Sequence, residues 1–289
     1  VDWINTIFQG ALLGGLYALF AAGLSLMFGV MRIVNVAHGD FIVLAAYVAL
    51  LVVQVFGLHP LASVLLVAPV MFAAGYALQR GLLNQTVGDD VLPPLLVTLG
   101  LSAIVQNVLL EVFGADTRRL QAGAIETASL RLGEQFAIGW LPAIIFLTAV
   151  AVIAVLELLL RRTATGRAFR ATADDGETAR LYGVDYRHVF ALATAVALAV
   201  ASIASVLMAI RTTFDPATGP SRLLIAFEAV IIGGLGSLWG TLAGGVILGL
   251  SQAVASTIDP GWEPLAAHLV FLAVLLIRPR GLFPRTAAP

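Results

Sequence analysis

Lysine and cysteine are both missing from this chain of 289 residues, and all sixteen of its basic residues are arginine. Without lysine there can be no P-loop, whose lysine must reach the β- and γ-phosphates of a nucleotide. Schiff bases of the retinal or pyridoxal kind are excluded as well. Without cysteine there is no disulfide, no thiol catalysis and no thiolate metal site, although this alone fixes no compartment. Charge is also scarce, at 11% of residues, where a soluble domain averages roughly 25%. What fills the chain instead is apolar: 60% of residues are hydrophobic and the mean hydropathy is +0.99. Such a composition predicts an all-α, polytopic membrane protein, a single transmembrane domain over residues 1–289. A net charge of −1 without a basic stripe argues against nucleic acid as a partner. The N-terminus has neither a basic n-region nor a small-residue cleavage site, so no removable signal peptide is expected.

A helix needs about 20 apolar residues to cross the hydrocarbon core. Eight segments qualify: 7–29, 41–58, 61–79, 92–113, 136–160, 188–210, 238–257 and 262–277. Gly57-Leu58-His59-Pro60 and Leu92-Pro93-Pro94 mark boundaries, because proline has no N–H to continue a helix. Residues 161–187 form the one long charged stretch, with six arginines. A polar island of that size cannot lie in hydrocarbon, and its arginine excess assigns it to the cytoplasmic side. Alternation then puts the N-terminus and the 115–135 loop outside. Eleven arginines fall inside, including Arg32, Arg80, Arg278, Arg280 and Arg285. Five fall outside: Arg118, Arg119, Arg131, Arg211 and Arg222. The excess inside agrees with the positive-inside rule.

Alternation also requires the stretch from 223 to 257 to begin and end outside. The short apolar piece 223–232 must therefore cross or re-enter, yet ten helical residues reach only about 15 Å. Two readings stand: a broken or re-entrant half-helix whose break, Gly233-Gly234-Leu235-Gly236-Ser237, lies near a pathway, or a longer tilted helix starting near Ser221. Gly10-x-x-x-Gly14, Gly240-x-x-x-Gly244 and Gly245-x-x-x-Gly249 clear one helix face each for tight packing, within the chain or at a dimer face.

Several polar residues stand out in or beside the spans. Asn35, His38 and Asp40 follow the first span, where capping and gating are both open readings; no second ligand at metal spacing accompanies the histidine. Gln106 and Asn107 sit mid-span and must bond between helices or line a path, since an unsatisfied buried amide costs about 1–3 kcal/mol. Glu228 is the sharpest intramembrane ionisable residue and must pair, protonate or face water. Arg32 could partner it if the span ends meet. Glu111 and Glu157 lie close enough to span ends to reach water. The spans hold no paired-carboxylate, His-rich or nucleophile–base arrangement, so an embedded enzyme is not expected.

Within 161–187, the run from Arg167 and the run from Glu177 each favour a short helix, with Gly176 between them. Ala168, Phe169, Ala171 and Thr172 flank one side of the first, Arg167 and Arg170 another. Asp174, Asp175 and Glu177 lie near the start of the second, where negative charge suits the helix dipole. Gly183 can close it, after Arg180 and Leu181, in a left-handed cap. A short pair with one aromatic knob, Phe169, and fixed charges suits a groove on a partner; a solvated linker is the plainer reading.

Five blocks in order resemble the permease subunits of branched-chain amino-acid ABC importers, the LivH type. They are Gly23-LSLMFGVMRIVNVAHGD, Leu101-SAIVQNVLLEVFG, Gly166-RAFRATADDGETARLYGVD, Gly233-GLGSLWGTLAGGVILG and Ile277-RPRGLF, and together they cover nearly the whole chain. The resemblance implies a non-catalytic subunit of a bacterial inner membrane, working with two ABC ATPase subunits and a second permease chain. An extracytoplasmic substrate-binding protein completes the set. It implies no cofactor of the chain's own, ATP being bound and hydrolysed by the partners. The block from Gly166 becomes the ATPase-coupling loop, and NVAHGD a cytoplasmic-side turn near the path. Asn35, His38, Gln106, Asn107, Glu228, Gly233, Gly234 and Gly236 are then candidates for gate or pathway. Urea, short amides, sugars or nucleosides remain alternative cargoes. A secondary transporter or channel would instead call for coupling carboxylates in several spans and no docking loop.

Overall fold

The computed structural model describes residues 3–88, 90, 92–131 and 137–283. Eight helices among them are long and apolar enough to cross a membrane. In chain order, the long helices are α1 (Trp3–Met31), α2 (His38–Phe56), α3 (Pro60–Gly81) and α4 (Leu92–Phe113). A four-residue α5 (Ala124–Thr127) and a hairpin of β1 (Ser129–Arg131) with β2 (Ala137–Gly139) precede α6 (Trp140–Arg162). The polar stretch forms α7 (Ala164–Asp174) and α8 (Gly176–Leu181), and the remainder α9 (Tyr186–Arg211), α10 (Gly219–Gly233), α11 (Leu238–Ile258) and α12 (Glu263–Ile277). A 3-10 turn, Pro260–Trp262, extends α12 to membrane length. Arg285 and the side chains of Arg131 and Glu177 lie outside the described residues.

Local chemistry sets the helix starts. Thr163 accepts from the Gly166 N–H at the head of α7, Asp185 from the Arg187 and His188 N–H groups at the head of α9, and Ser237 from the Gly240 N–H at the head of α11. Pro60 opens α3, where its missing donor is harmless. Gly57, with φ of 62°, ends α2 in the left-handed conformation.

Helices α1 and α9 form the centre, wrapped by α2, α3, α6, α10 and α11. Small residues decide this arrangement. Gly10 and Gly14 of α1 lie against Gly245 and Gly249 of α11, and a Cβ on any of the four would meet the opposing backbone. Gly240 and Gly244, on another face of α11, pack the same way on Gly233 and Ala229 of α10. All three glycine pairs picked out in the sequence thus serve packing inside this chain, which lets backbones approach and strengthens dispersion contacts in a medium with no hydrophobic drive.

For the short segment the structure takes something from each reading: α10 starts at Gly219, upstream of Ser221 as the longer helix would, but its 15 residues reach only about 22 Å, a half-helix in length. The chain returns from α9 through residues 212–218 and begins α10 beside the start of α2. There a side chain on Gly39 would strike the Gly219 carbonyl. The glycine-rich break is at the opposite, C-terminal end of α10. Gly234 (φ 102°) and Gly236 (φ 78°) turn the chain into α11. The last carbonyls of α10, on Ile232 and Gly233, accept from the N–H groups of Leu282 and Phe283 at 2.9 and 3.0 Å. The helix-ending carbonyls here are thus bonded to protein.

Candidate functional site

Two regions hold the polar residues that the sequence brings forward: a junction inside the membrane, and the 161–187 loop.

At the junction, α2 starts deep within the bundle. His38 Nε2 lies 3.1 Å from the Phe20 carbonyl oxygen. Phe20 stands eleven residues before the C-terminal end of α1, so His38 is about 16 Å from that end. This corrects the expectation of a cytoplasmic-side turn for NVAHGD: from Arg32 the chain climbs back along α1 before helix resumes. Asn35 and His38 are fully buried. Asn35 Oδ1 accepts from the Ala37 N–H at 3.0 Å, which shapes the turn. Asn35 lines a narrow recess with Met31, Gln79 and Thr98.

Asp40, one turn further, is 1% exposed and lies against Gly219. Gln106 Nε2 donates to Asp40 Oδ1 at 2.9 Å and also reaches Ser102 Oγ at 3.2 Å. The NVAHGD block and the mid-span amide therefore meet. Asp40 Oδ2 has no protein partner. Asn107, the adjacent amide, is exposed and donates only along its own helix, to the Ala103 carbonyl at 2.8 Å. Beside these amides a recess of about 180 Å³ opens between α4 and the returning segment, lined by Gln106, Asn107, Leu110, Asp215 and Pro216. Asp215 was not foreseen; only the tertiary fold brings it opposite α4.

Glu228, 2% exposed on α10, lies 2.5 Å from His268 Nδ1 of α12. The partner considered in the sequence, Arg32, is elsewhere: its guanidinium donates to the Ala173 carbonyl of α7 at 3.2 Å. That residue has a φ of 56°, the one positive φ outside glycine among the described residues. Gly233, Gly234 and Gly236 lie at the α10–α11 turn, where Gly233 packs against Gly240 and Gly234 against Gly281. They are remote from the amides of α4, because α10 points its other end at the junction.

In the loop, the break between the two short helices falls at Asp175, whose φ and ψ are −153° and 102°; Gly176 is the first residue of α8. Asp175 caps α8 by accepting from the Thr178 N–H at 3.0 Å. Gly183 (φ 84°) closes it, as expected. Gly166 fits against the Leu159 and Leu160 carbonyls, where no side chain would fit. Phe169 is a correction. It is 1% exposed, packed among Met27, Val30, Ile153, Leu160 and Phe190, so it anchors α7 to its own chain and offers nothing to a partner. An amphipathic helix buries its apolar stripe against whichever surface is nearest. Arg170 bonds the Leu160 carbonyl, while Arg167, Asp174 and Arg180 are exposed. The apolar groups that do project are Leu181 and Tyr182, each 86% exposed. Asp185, below them, bonds Arg80 at 3.2 Å. Slight burial opposes its ionisation, but Arg80 and the His188 and Arg187 N–H groups prevail and hold its carboxyl below the usual range.

Among the described residues no three His, Asp or Glu side chains converge as for a metal. The geometry offers a polar junction in the bundle and a docked helix pair at one end. Residues 6–278 match the family model for the branched-chain amino acid transport system / permease component. The chain is 28% identical over 297 residues to the high-affinity branched-chain amino acid transport system permease protein BraD of Pseudomonas aeruginosa, covering 98% of this chain and 96% of that one. It is also 28% identical to LivH of the same kind of system in Salmonella typhimurium, again over 98% and 96%. A probable LivH permease of Methanocaldococcus jannaschii is 28% identical, over 96% and 91%. With eight membrane-length helices and a match along almost its whole length, this chain belongs to the family of branched-chain amino acid transport permease components.

Proposed function

We propose that this chain is the membrane subunit of an ATP-driven importer, passing branched-chain amino acids into the cytoplasm by alternating access. Its partners are two ABC ATPase subunits inside, a second, related permease chain beside it, and an extracytoplasmic binding protein that sets specificity. The chain lies in the bacterial inner membrane with its N-terminus outside and its 161–187 loop inside. It carries no cofactor; ATP stays with the partners.

One observation carries the mechanism. Arg32 ties the end of α7 to the point where α1 stops, and the six residues that follow lead directly to the buried start of α2. There Asp40 holds Gln106 of α4 and abuts the first residue of the half-helix α10. A push on α7 and α8 by closing ATPases thus reaches, through a short and packed route, the junction where two helices begin. Rigid packing transmits such a displacement instead of absorbing it. The recess beside Gln106 and Asn107 has the mixed character that an amino acid needs: amides for the polar end and Leu110 and Pro216 for an apolar side chain.

The test is labelled leucine uptake in cells lacking the chain and then supplied with it, with unlabelled valine, urea and ribose as competitors. Uptake that returns with the chain, requires ATP and yields to valine alone is expected. Restored uptake indifferent to ATP, or no leucine uptake in either strain, would overturn the proposal.

A further inference from the structure

One recess lined by the described residues takes no part in the route above. It lies at the inner end of the bundle, about 400 Å³, where α6 ends, α7 begins and the α10–α11 turn comes against them. Its polar walls are Arg161, Arg170, Glu157 and Ser237, with Trp239 at one side. Arg161 engages Glu157 through Nε at 2.5 Å, and its side chain remains 73% exposed. Its two terminal nitrogens are therefore available. Arg170 uses Nη1 on the Leu160 carbonyl. Two guanidiniums against one carboxylate leave the recess with a positive excess.

Its depth follows from the tryptophans. The chain has four. Trp3, Trp140 and Trp262 stand at the outer starts of α1, α6 and α12, exposed by 50, 47 and 53%. Trp239 stands alone at the inner end, exposed by 47%, in the first turn of α11. Half-exposed indoles on membrane helices settle at headgroup level, where the ring is buried and the N–H is wet. Val155 and Leu158, deeper on α6, are 61 and 58% exposed and offer apolar surface at acyl-chain depth.

We infer that this recess binds the phosphate headgroup of an anionic phospholipid, held by Arg161 and Arg170 beside Trp239, with its chains along α6. A guanidinium pairs with phosphate through directed, charge-assisted hydrogen bonds, and basic pockets between membrane helices on the cytoplasmic side suit such headgroups. A free phosphate would use the same arginines but gain nothing from the apolar wall below. An ATPase would have to reach past the headgroups to touch Trp239. A bound lipid would join the loop helices to the turn that ends the half-helix, and so act on transport from outside the path.

The experiment is thermal unfolding and native mass spectrometry of the full chain in detergent, titrated with phosphatidylglycerol, phosphatidylcholine or inorganic phosphate. Phosphatidylglycerol is expected to be retained and to raise the melting temperature, while phosphatidylcholine and phosphate do neither. Arg161→Gln, at an exposed side chain, should weaken phosphatidylglycerol retention about tenfold, as loss of a charged hydrogen bond does, with Arg161→Lys intermediate. Equal retention of the two lipids, an equal response to inorganic phosphate, or full selectivity in Arg161→Gln would each overturn the assignment. So would stabilisation by added ATPase subunits that Arg161→Gln abolishes while the lipid response stays intact.

Discussion

Helices α1 and α4 are equally apolar along their membrane-length stretches, yet 83% of that stretch is buried in α1 and 22% in α4. Hydrophobicity cannot be what separates them. In a bilayer the tails are as apolar as leucine, so a leucine-rich helix gains little by leaving lipid. What α1 has is Gly10, Gly14, Gly15 and Gly23, each with a neighbour's backbone close enough to forbid a side chain. What α4 presents outward is Leu96, Leu99, Ile104, Val108 and Val112, bulky side chains that keep neighbours away, and its one glycine, Gly100, faces open space. The centre of the bundle is chosen by size. That leaves α4 at the edge with Asn107 on its exposed side.

The strongest way to break this contrast is to enlarge a glycine in α1. Gly14→Leu would drive a side chain into the Val246 backbone, which no rotamer change can relieve. We expect it to cost more than the roughly 1–3 kcal/mol typical of overpacking and to abolish a cooperative melt in detergent. Val108→Ala on α4 should stay within about 0.5 kcal/mol of the parent. Equal melts for the two would refute the packing argument.

The same contrast between inside and outside runs through the loop. Phe169→Ala removes a core aromatic and should cost about 3–5 kcal/mol in chemical denaturation. Tyr182→Ala should shift stability by no more than about 0.5 kcal/mol but reduce ATP-driven uptake. If Tyr182→Ala transports normally, the exposed pair is not where the ATPase sits.

Smaller effects are expected at the amides. Gln106→Leu deprives buried Asp40 of its donor and should cost about 1–3 kcal/mol. Asn107→Leu should leave the melt unchanged, since its amide bonds only its own helix, and raise the KM for leucine. An unchanged KM would remove Asn107 from the path.

The eight spans were legible because length and apolarity alone decide them; alternation demanded one more segment after α9, but whether that segment was a short broken helix or a longer one was not legible. Pairings over long separations were not. Nothing local marks His268 as the partner of Glu228, and Arg32, the nearest cation in imagination, is bound to α7. The stripe through Phe169 reads identically whether it covers a partner or its own chain. The depth of His38 was hidden for a similar reason. A short link between two spans looks like a surface turn unless the fold shows it re-entering.

The residues that finish α10 are synthesised after the last span. Until Leu282 and Phe283 leave the ribosome, the carbonyls of Ile232 and Gly233 have no donor from the tail. A chain grows from its N-terminus, and its parts fold in that order where they can. Here the last two carbonyls of α10 gain these partners only once the tail has been made. These two hydrogen bonds therefore form only after translation has passed α12, and a ribosome stalled within that helix would carry an α10–α11 turn that lacks them.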